Sequence, residues 1–316
     1  MTVAEEAPAA VVVTRHKRTA LQAKQTQLAW LLMAPTILVM LGVAAYPLVQ
    51  TFYTSFTDAA FGYPTHLIGL TNYSNLLKDQ QFWASVEETL KFTVITVVFE
   101  FVLGMVFALV VNSRFPGRGA MRAAMLVPWA IITVVNAQMW NLMFNDTYGV
   151  FNDLLERIHF PGAPFSLTSD PTVALAGVSM IDIWKTTPFV ALLLLAGLQV
   201  IPSDVYEAAD VDGASKWQQF WAITLPLLRP AILVALIFRT MDALRVFDVF
   251  YVLFGNAPCF PGNCDQSMAV YAQEQIVSFA SSPGAEGYGA AVSVAIFIIL
   301  AIFIAIYVKA LPLERA

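Results

Sequence analysis

The sequence has little charge. Only 12% of its 316 residues are Asp, Glu, Lys or Arg, against about 25% in soluble domains. Hydrophobic residues make up 58%, and the mean hydropathy is +0.68. So large an apolar excess needs lipid around most of the surface and points to a polytopic membrane protein. The basic stripe that nucleic acid requires is missing, so no nucleic-acid partner is expected. No Gly-x-x-x-x-Gly-Lys-Ser/Thr run occurs, so the chain has no phosphate cradle of its own. Its three histidines, at 16, 66 and 159, are scattered outside the apolar runs and support no proton relay. No nucleophile stands beside a partnered base, and no spacing of metal ligands appears; catalytic residues and a metal site are both expected to be absent.

Six apolar runs are long enough to cross about 30 Å of hydrocarbon at ~1.5 Å per residue. They lie near 28–52, 89–112, 122–144, 172–199, 229–254 and 288–309. They lack the period-two alternation of barrel strands, and helices satisfy their own backbone inside lipid. The expected class is therefore all-α, with six transmembrane helices. The polar segment 1–27 is followed by a run longer than a signal peptide's apolar region, so that run should remain as an anchor.

Lys and Arg set the orientation. With the N-terminus inside, the inner segments hold Arg15, Lys17, Arg18, Lys24, Arg114, Arg118, Arg122, Lys216, Arg229, Lys309 and Arg315. The outer segments hold only Lys78, Lys91 and Arg157. This asymmetry predicts both termini in the cytoplasm. The chain then divides into a cytoplasmic tail at 1–27, a six-helix domain at 28–309 with a cytoplasmic loop at 200–228, and a cytoplasmic tail at 310–316. Cys259 and Cys264 fall outside, within Cys259-Phe260-Pro261-Gly262-Asn263-Cys264. A Pro-Gly turn there can bring the two sulfurs together, leaving either a disulfide or two unpaired thiols.

The 200–228 loop carries the most information. Pro202 and Ser203 fit the start of a helix, as first-turn proline and capping serine. Asp204 and Glu207 suit its N-terminal dipole. Ala208 and Ala209 have no side chain beyond Cβ, so a partner can approach the backbone. Gly213 can take a left-handed conformation and end the helix. Ser215-x-x-Gln218 reads as a capping box for a second helix bearing Trp217, Phe220, Trp221 and Ile223. The bland alternative is an amphipathic hairpin lying on the membrane.

The long spacing of Glu207-Ala208-Ala209, Gly213 and Ile223-x-Leu225-Pro226 resembles the signature loop of permease subunits of bacterial ATP-binding-cassette importers. Trp184-Lys185-Thr186-Thr187-Pro188-Phe189, Phe238 through Asp248, and Ile68-Gly69-Leu70-Thr71-Asn72-Tyr73 resemble its MalF-like carbohydrate branch, which carries oligosaccharides and glycerol phosphates. The likeness is greatest to actinobacterial trehalose- or maltose-type permeases and covers roughly residues 28–309. It implies a type I importer permease fold in the bacterial cytoplasmic membrane. It also implies that Glu207, Ala208, Ala209, Asp212, Gly213, Leu225 and Pro226 dock a separate ATPase. The implied partners are a second six-helix permease, two cytoplasmic ATPase subunits that bind the ATP and Mg, and an extracytoplasmic sugar-binding protein or lipoprotein that delivers a disaccharide. This chain would hold no cofactor.

Charges inside a span cost about 2.5–3.5 kcal/mol each on insertion scales and need a reason. Arg239, Asp242, Arg245 and Asp248 recur every third residue, so on one helix they would form a neutralised ladder. Asp182 and Lys185 form a similar pair, and Glu100 stands alone. Such charges either lock helices together or line a hydrated cavity. The first use suits Arg239 and Asp242; the second suits Arg245 and Asp248, beside Phe247 and Tyr251, and Asp242 and Tyr251 are counted with them as pathway candidates. Asn136, Trp140 and Asn141 are further pathway candidates, although amides in a span often only bridge helices. Trp184 before Pro188 marks a candidate kink. Glycerol 3-phosphate or another polyol is the alternative solute. A non-transporting scaffold or receptor that signals through the 200–228 loop is the alternative of a different class.

Overall fold

Asp79 starts a helix of 33 residues by accepting hydrogen bonds from the backbone N–H groups of Gln81 (2.9 Å) and Phe82 (3.3 Å). This cap sets the second span's helix at Gln80, nine residues before the apolar run begins, because a carboxylate at the N-terminus satisfies otherwise orphaned donors. The computed structural model describes residues 20–113, 115–145, 147–161, 171–255, 259–260, 263–278 and 282–310. Arg114 and the proposed Pro261-Gly262 turn lie outside them. As expected, the fold is helical almost throughout.

The chain divides into two units, residues 1–50 and 51–316. The described part of the first holds α1 (Ala20–Met40), a π-helical turn (Leu41–Ala45) and most of α2 (Tyr46–Thr54). Its helix starts inside the segment expected to be tail. The second unit continues through α3 (Thr71–Lys78), α4 (Gln80–Asn112), α5 (Arg118–Ala130), α6 (Thr133–Met143), α7 (Val150–Arg157) and α8 (Pro171–Leu198). A hairpin follows: α9 (Ser203–Val211), α10 (Lys216–Gln219), a π-helical turn (Phe220–Thr224) and α11 (Leu225–Leu227). Next come α12 (Arg229–Leu244), α13 (Asp248–Phe254), a two-stranded ladder of β1 (Cys259–Phe260) and β2 (Asn263–Cys264), α14 (Met268–Gln273) and α15 (Ala285–Ala310).

Among the described residues, four helices are long and apolar enough to cross a membrane: Lys24–Thr54, Gln80–Asn112, Val173–Leu198 and Ala285–Ala310. Two bent pairs bring the number to six if each pair is one span. Only the first bend falls inside an expected run; the second lies at the border of the 200–228 loop and the 229–254 run. The 122–144 run is broken by 89° between α5 and α6. Ile131 and Ile132 are extended there, at ψ 131° and 134°, three residues after Pro128, which has no N–H to donate. The hairpin's second limb meets α12 at 68°, around Leu228 and just ahead of Pro230. Pro188, by contrast, does not end α8; the helix continues through it.

The centre of the second unit is a three-helix bundle of α4, α8 and α12. Lipid tails are as apolar as Leu, so close approach through small residues matters more than apolar burial. A Cβ on Gly104 would lie 2.8 Å from Val190 Cγ1, and one on Gly197 only 2.4 Å from the Ala231 Cβ. These two positions let α8 run against α4 and α12. At the far end of the bundle, Asp79 Oδ2 accepts from the hydroxyls of Tyr271 (2.5 Å) and Tyr288, tying α4 to α14 and α15.

Candidate functional site

The 200–228 loop folds as the expected helix–turn–helix. Gly213 has φ +77°. Its N–H donates to the Asp210 carbonyl (3.2 Å), and the Ala214 N–H reaches back to Ala209 (2.9 Å). This double bond with a left-handed residue is the Schellman ending of a helix. The Ser215–Gln218 capping box forms, with Gln218 Oε1 accepting from the Ser215 N–H at 2.8 Å. One local expectation needs correction. Pro202, not Ser203, occupies the cap position, at ψ 140°; the Ser203 hydroxyl lies 3.3 Å from Asp204 Oδ1.

The hairpin is held shut by residues that the sequence did not single out. Asp210 Oδ1 accepts from Lys216 Nζ (2.7 Å) and Gln219 Nε2 (2.5 Å). Gln219, buried, also donates to the Ala214 carbonyl (3.0 Å). These bonds, Lys216 first, hold the Asp210 carboxyl below its ordinary value. At the base, the Tyr206 and Thr224 hydroxyls meet at 2.9 Å. The exposed surface includes Glu207, Ala208, Val211, Asp212, Gly213, Trp217 and Trp221. Ala209 differs from its expected role: it is 8% exposed and faces its own chain, so only Ala208 offers bare backbone to a partner. Leu225 and Pro226 are half-buried and seat the second limb.

The four-charge ladder does not exist as one helical row. Arg245 ends α12, and Asp248 opens α13. The break is supported from outside, because the Ser267 hydroxyl donates to the Val246 carbonyl (2.6 Å). Arg239 pairs with Asp242 (Nη1 to Oδ2, 2.7 Å) and with two acids from other helices. It donates to Glu100 through Nε and through Nη2 (3.0 Å), and to Asp182 through Nη2 (2.5 Å). The Thr186 hydroxyl also donates to Glu100. Glu100 is therefore not alone, and the Asp182 carboxylate accepts from Arg239 on another helix, a partner that the pairing with Lys185 did not foresee.

Asp242, Arg245, Asp248 and Tyr251 are exposed along one stretch of chain, with Phe247 stacked on Tyr251 at 5.1 Å. The helix that carries the third-span candidates, α6, packs on α13, which carries Asp248 and Tyr251, through the buried Ala137, Val249, Phe250 and Leu253. Asn136 is 1% exposed, and neither atom of its amide has a hydrogen-bond partner; Trp140 Nε1 also lacks one. Trp140 stacks on Phe151 (5.7 Å) and meets Trp184 edge-on (5.5 Å). Asn141 lies half-buried on the same helix. Together these give aromatic faces with unspent polar groups at the α6–α8–α13 junction. Elsewhere, the ladder sets Cys259 opposite Cys264, and Cys264 is disulfide-bonded. No group of three or more potential metal ligands occurs among the described residues.

A family model described as "Binding-protein-dependent transport system inner membrane component" matches residues 100–312. The chain belongs to this family. It is accordingly a multi-pass inner-membrane subunit of a transport system that works with a binding protein. Similarity to individual relatives extends over nearly the whole length. The chain is 41% identical over 290 residues to the trehalose/maltose transport system permease protein MalF of Thermococcus litoralis, covering 92% of this chain and 95% of that protein. It is 39% identical over 284 residues to the sulfoquinovosyl glycerol transport system permease protein SmoG of Agrobacterium fabrum, covering 89% of each. It is 36% identical over 311 residues to the trehalose transport system permease protein SugA of Mycobacterium tuberculosis, covering 98% and 95%. In fold, it matches a chain of a bacterial ABC transporter involved in import of the acidic polysaccharide alginate, with a TM-score of 0.79 at 21% identity over 95% of this chain and all of that one. The fold is thus that of an ABC importer permease.

Proposed function

We propose that this subunit forms half of the translocation pathway for a disaccharide such as trehalose or maltose, with both termini in the cytoplasm and six crossings. The observation that carries this reading is the hairpin at 200–228: a rigid, stapled knob with Glu207, Ala208 and Gly213 outward, on a family member with no phosphate cradle. A knob so built fits a cleft on a separate ATPase that binds ATP and Mg. A second six-helix permease completes the pathway, two ATPase subunits drive it, and a binding protein or lipoprotein delivers the solute.

The pathway wall comprises Asn136, Trp140, Asn141, Asp242, Arg245, Asp248 and Tyr251. Unpartnered amide and indole N–H groups beside stacked aromatics suit a solute with hydroxyls and C–H faces. A Cys259–Cys264 disulfide pins the loop between α13 and α14 on the outer side.

The test is ATP hydrolysis by the complex in proteoliposomes with its binding protein, comparing trehalose, maltose, sulfoquinovosyl glycerol and glycerol 3-phosphate. Stimulation by a disaccharide supports the proposal. Stimulation by glycerol 3-phosphate alone replaces the solute. A complex that hydrolyses ATP with no dependence on any solute, and moves none, favours a signalling scaffold.

A further inference from the structure

The Arg239 cluster lies between two apolar cores. One core contains Val97 of α4, Ile181 of α8 and Ala243 of α12. The other contains Met105, Val190 and Ala235 of the same three helices, together with Leu228 at the hairpin's root. Glu100, Asp182 with Thr186, and Arg239 fall between them on each helix in turn. The result is a single polar layer across the three-helix bundle.

Its geometry is closed. Arg239, 2% exposed, directs Nε, Nη1 and Nη2 to carboxylates on all three helices, counting Asp242 on its own. Glu100, 0% exposed, takes two of these bonds and a hydroxyl. Asp242 alone reaches the exposed wall, its side chain 63% exposed. Long apolar helix faces tolerate sliding by a turn, whereas a buried, bonded charge does not, so one polar layer can fix register at some cost in stability.

The hairpin joins this bundle without slack. Leu228, 1% exposed, belongs to the core beside it, and both Leu228 and Ala231 press on Gly197. We propose that Arg239 is a positioning residue for transport: by pinning Glu100 and Asp182 it makes α4, α8 and α12 one rigid block, which carries hairpin movement to Asp242 on the pathway wall. This rests on the importer function proposed above and adds the part of the subunit that transmits the stroke. Rigid-body motion of packed helices is a common form of such transitions.

The test uses the complete complex. In the triple variant Glu100→Leu, Asp182→Leu, Arg239→Met, apolar groups of similar size replace the layer without stranding a buried charge. Thr186 keeps its bond to the residue-182 carbonyl, and Asp242 is already exposed. The variant is expected to assemble and hydrolyse ATP while uptake per ATP falls by roughly tenfold, within the range of mutations along a coupling network. Spin labels at Val102→Cys on α4 and Val234→Cys on α12, both exposed, supply a readout independent of solute. In the native block they should give one narrow distance distribution, unchanged by ATP and vanadate; in the triple variant it should broaden.

A native distance that shifts with nucleotide, or a triple variant with native uptake per ATP, overturns the proposal. If the triple variant does not assemble, Asp182→Asn decides: a lowered uptake-to-hydrolysis ratio with normal assembly supports the block, and an unchanged ratio sinks it. Failure of every sugar to stimulate the native complex counts against the solute assignment, and the spin-label distances still decide the block.

Discussion

Arg239 on α12 holds Glu100 on α4, 139 positions earlier in the chain, through two hydrogen bonds, with Nη2 to Oε1 at 3.0 Å. Arg239 keeps Asp182 and Asp242 when Glu100 is lost, but its buried Nε–H is left with no acceptor, and an unsatisfied buried donor costs about 1–3 kcal/mol, more when charged. Glu100→Ala should therefore reduce the assembled, detergent-stable subunit sharply. Glu100→Gln, which keeps an acceptor, should do so less. Thermal unfolding followed by size-exclusion chromatography checks the order; equal melting of both variants would show that a neutral acceptor at position 100 contributes nothing.

Asn136 offers the opposite case. Its amide is buried with no partner, so it contributes a desolvation cost and no bond. Asn136→Leu should leave thermal stability unchanged or slightly higher while lowering uptake. Loss of stability with intact transport would make the amide structural and remove it from the pathway. Asp248→Ala and Tyr251→Ala should likewise lower uptake more than assembly, as measured by solute flux against the amount of complex.

At Gly213, a side chain's Cβ would meet nothing within 4 Å, so backbone strain alone decides. A left-handed residue other than Gly costs about 1–2 kcal/mol, least for Asn. ATPase pull-down should therefore fall in the order Gly213→Asn, Gly213→Ala, Gly213→Val, with membrane insertion unaffected. Equal capture by all three would show that the turn does not position the knob.

Asp210 gives the hairpin a pH dependence of known sign. Its folded pKa lies below the ordinary 3.8 because Lys216 and then Gln219 donate to it. A depressed carboxyl contributes stability above its unfolded pKa, and the contribution is lost as pH falls through the folded value. Amide protection at Ala214–Gln219, taken relative to the intrinsic exchange rate at each pH, should hold from neutral pH down to the ordinary carboxylate range and fall below it. In Asp210→Asn it should be lower at neutral pH already; protection identical to native would show that the staple is idle.

Local chemistry is legible in the sequence. The Gly213 turn and the Ser215–Gln218 box depend on residues within five positions of each other, and both form as expected. The class, the six apolar runs and the family likeness are legible too. What fails is assumed continuity. The row from Arg239 to Asp248 looks like one helix face until Ser267, from a distant segment, takes the Val246 carbonyl and allows the chain to turn. Glu100 looks isolated because its partner lies on another helix. Ala209 looks equivalent to Ala208, although one residue of rotation sends it inward. The first two misses involve partners outside the helix in question, where spacing carries no information; the third is a matter of rotation within one short helix.

The right-angle break at Ile131–Ile132 bears on how this subunit reaches its folded form. Limbs of 13 and 11 residues measure about 20 and 16 Å at 1.5 Å per residue, so neither alone spans about 30 Å of hydrocarbon. Backbone carbonyls released at the corner have no acceptable resting place against lipid tails, where each unsatisfied group costs several kcal/mol. A neighbouring chain or a water-filled space has to meet them. Biogenesis of this membrane protein is then coupled to its company: a copy made without its companion subunits should be an early target for membrane quality control.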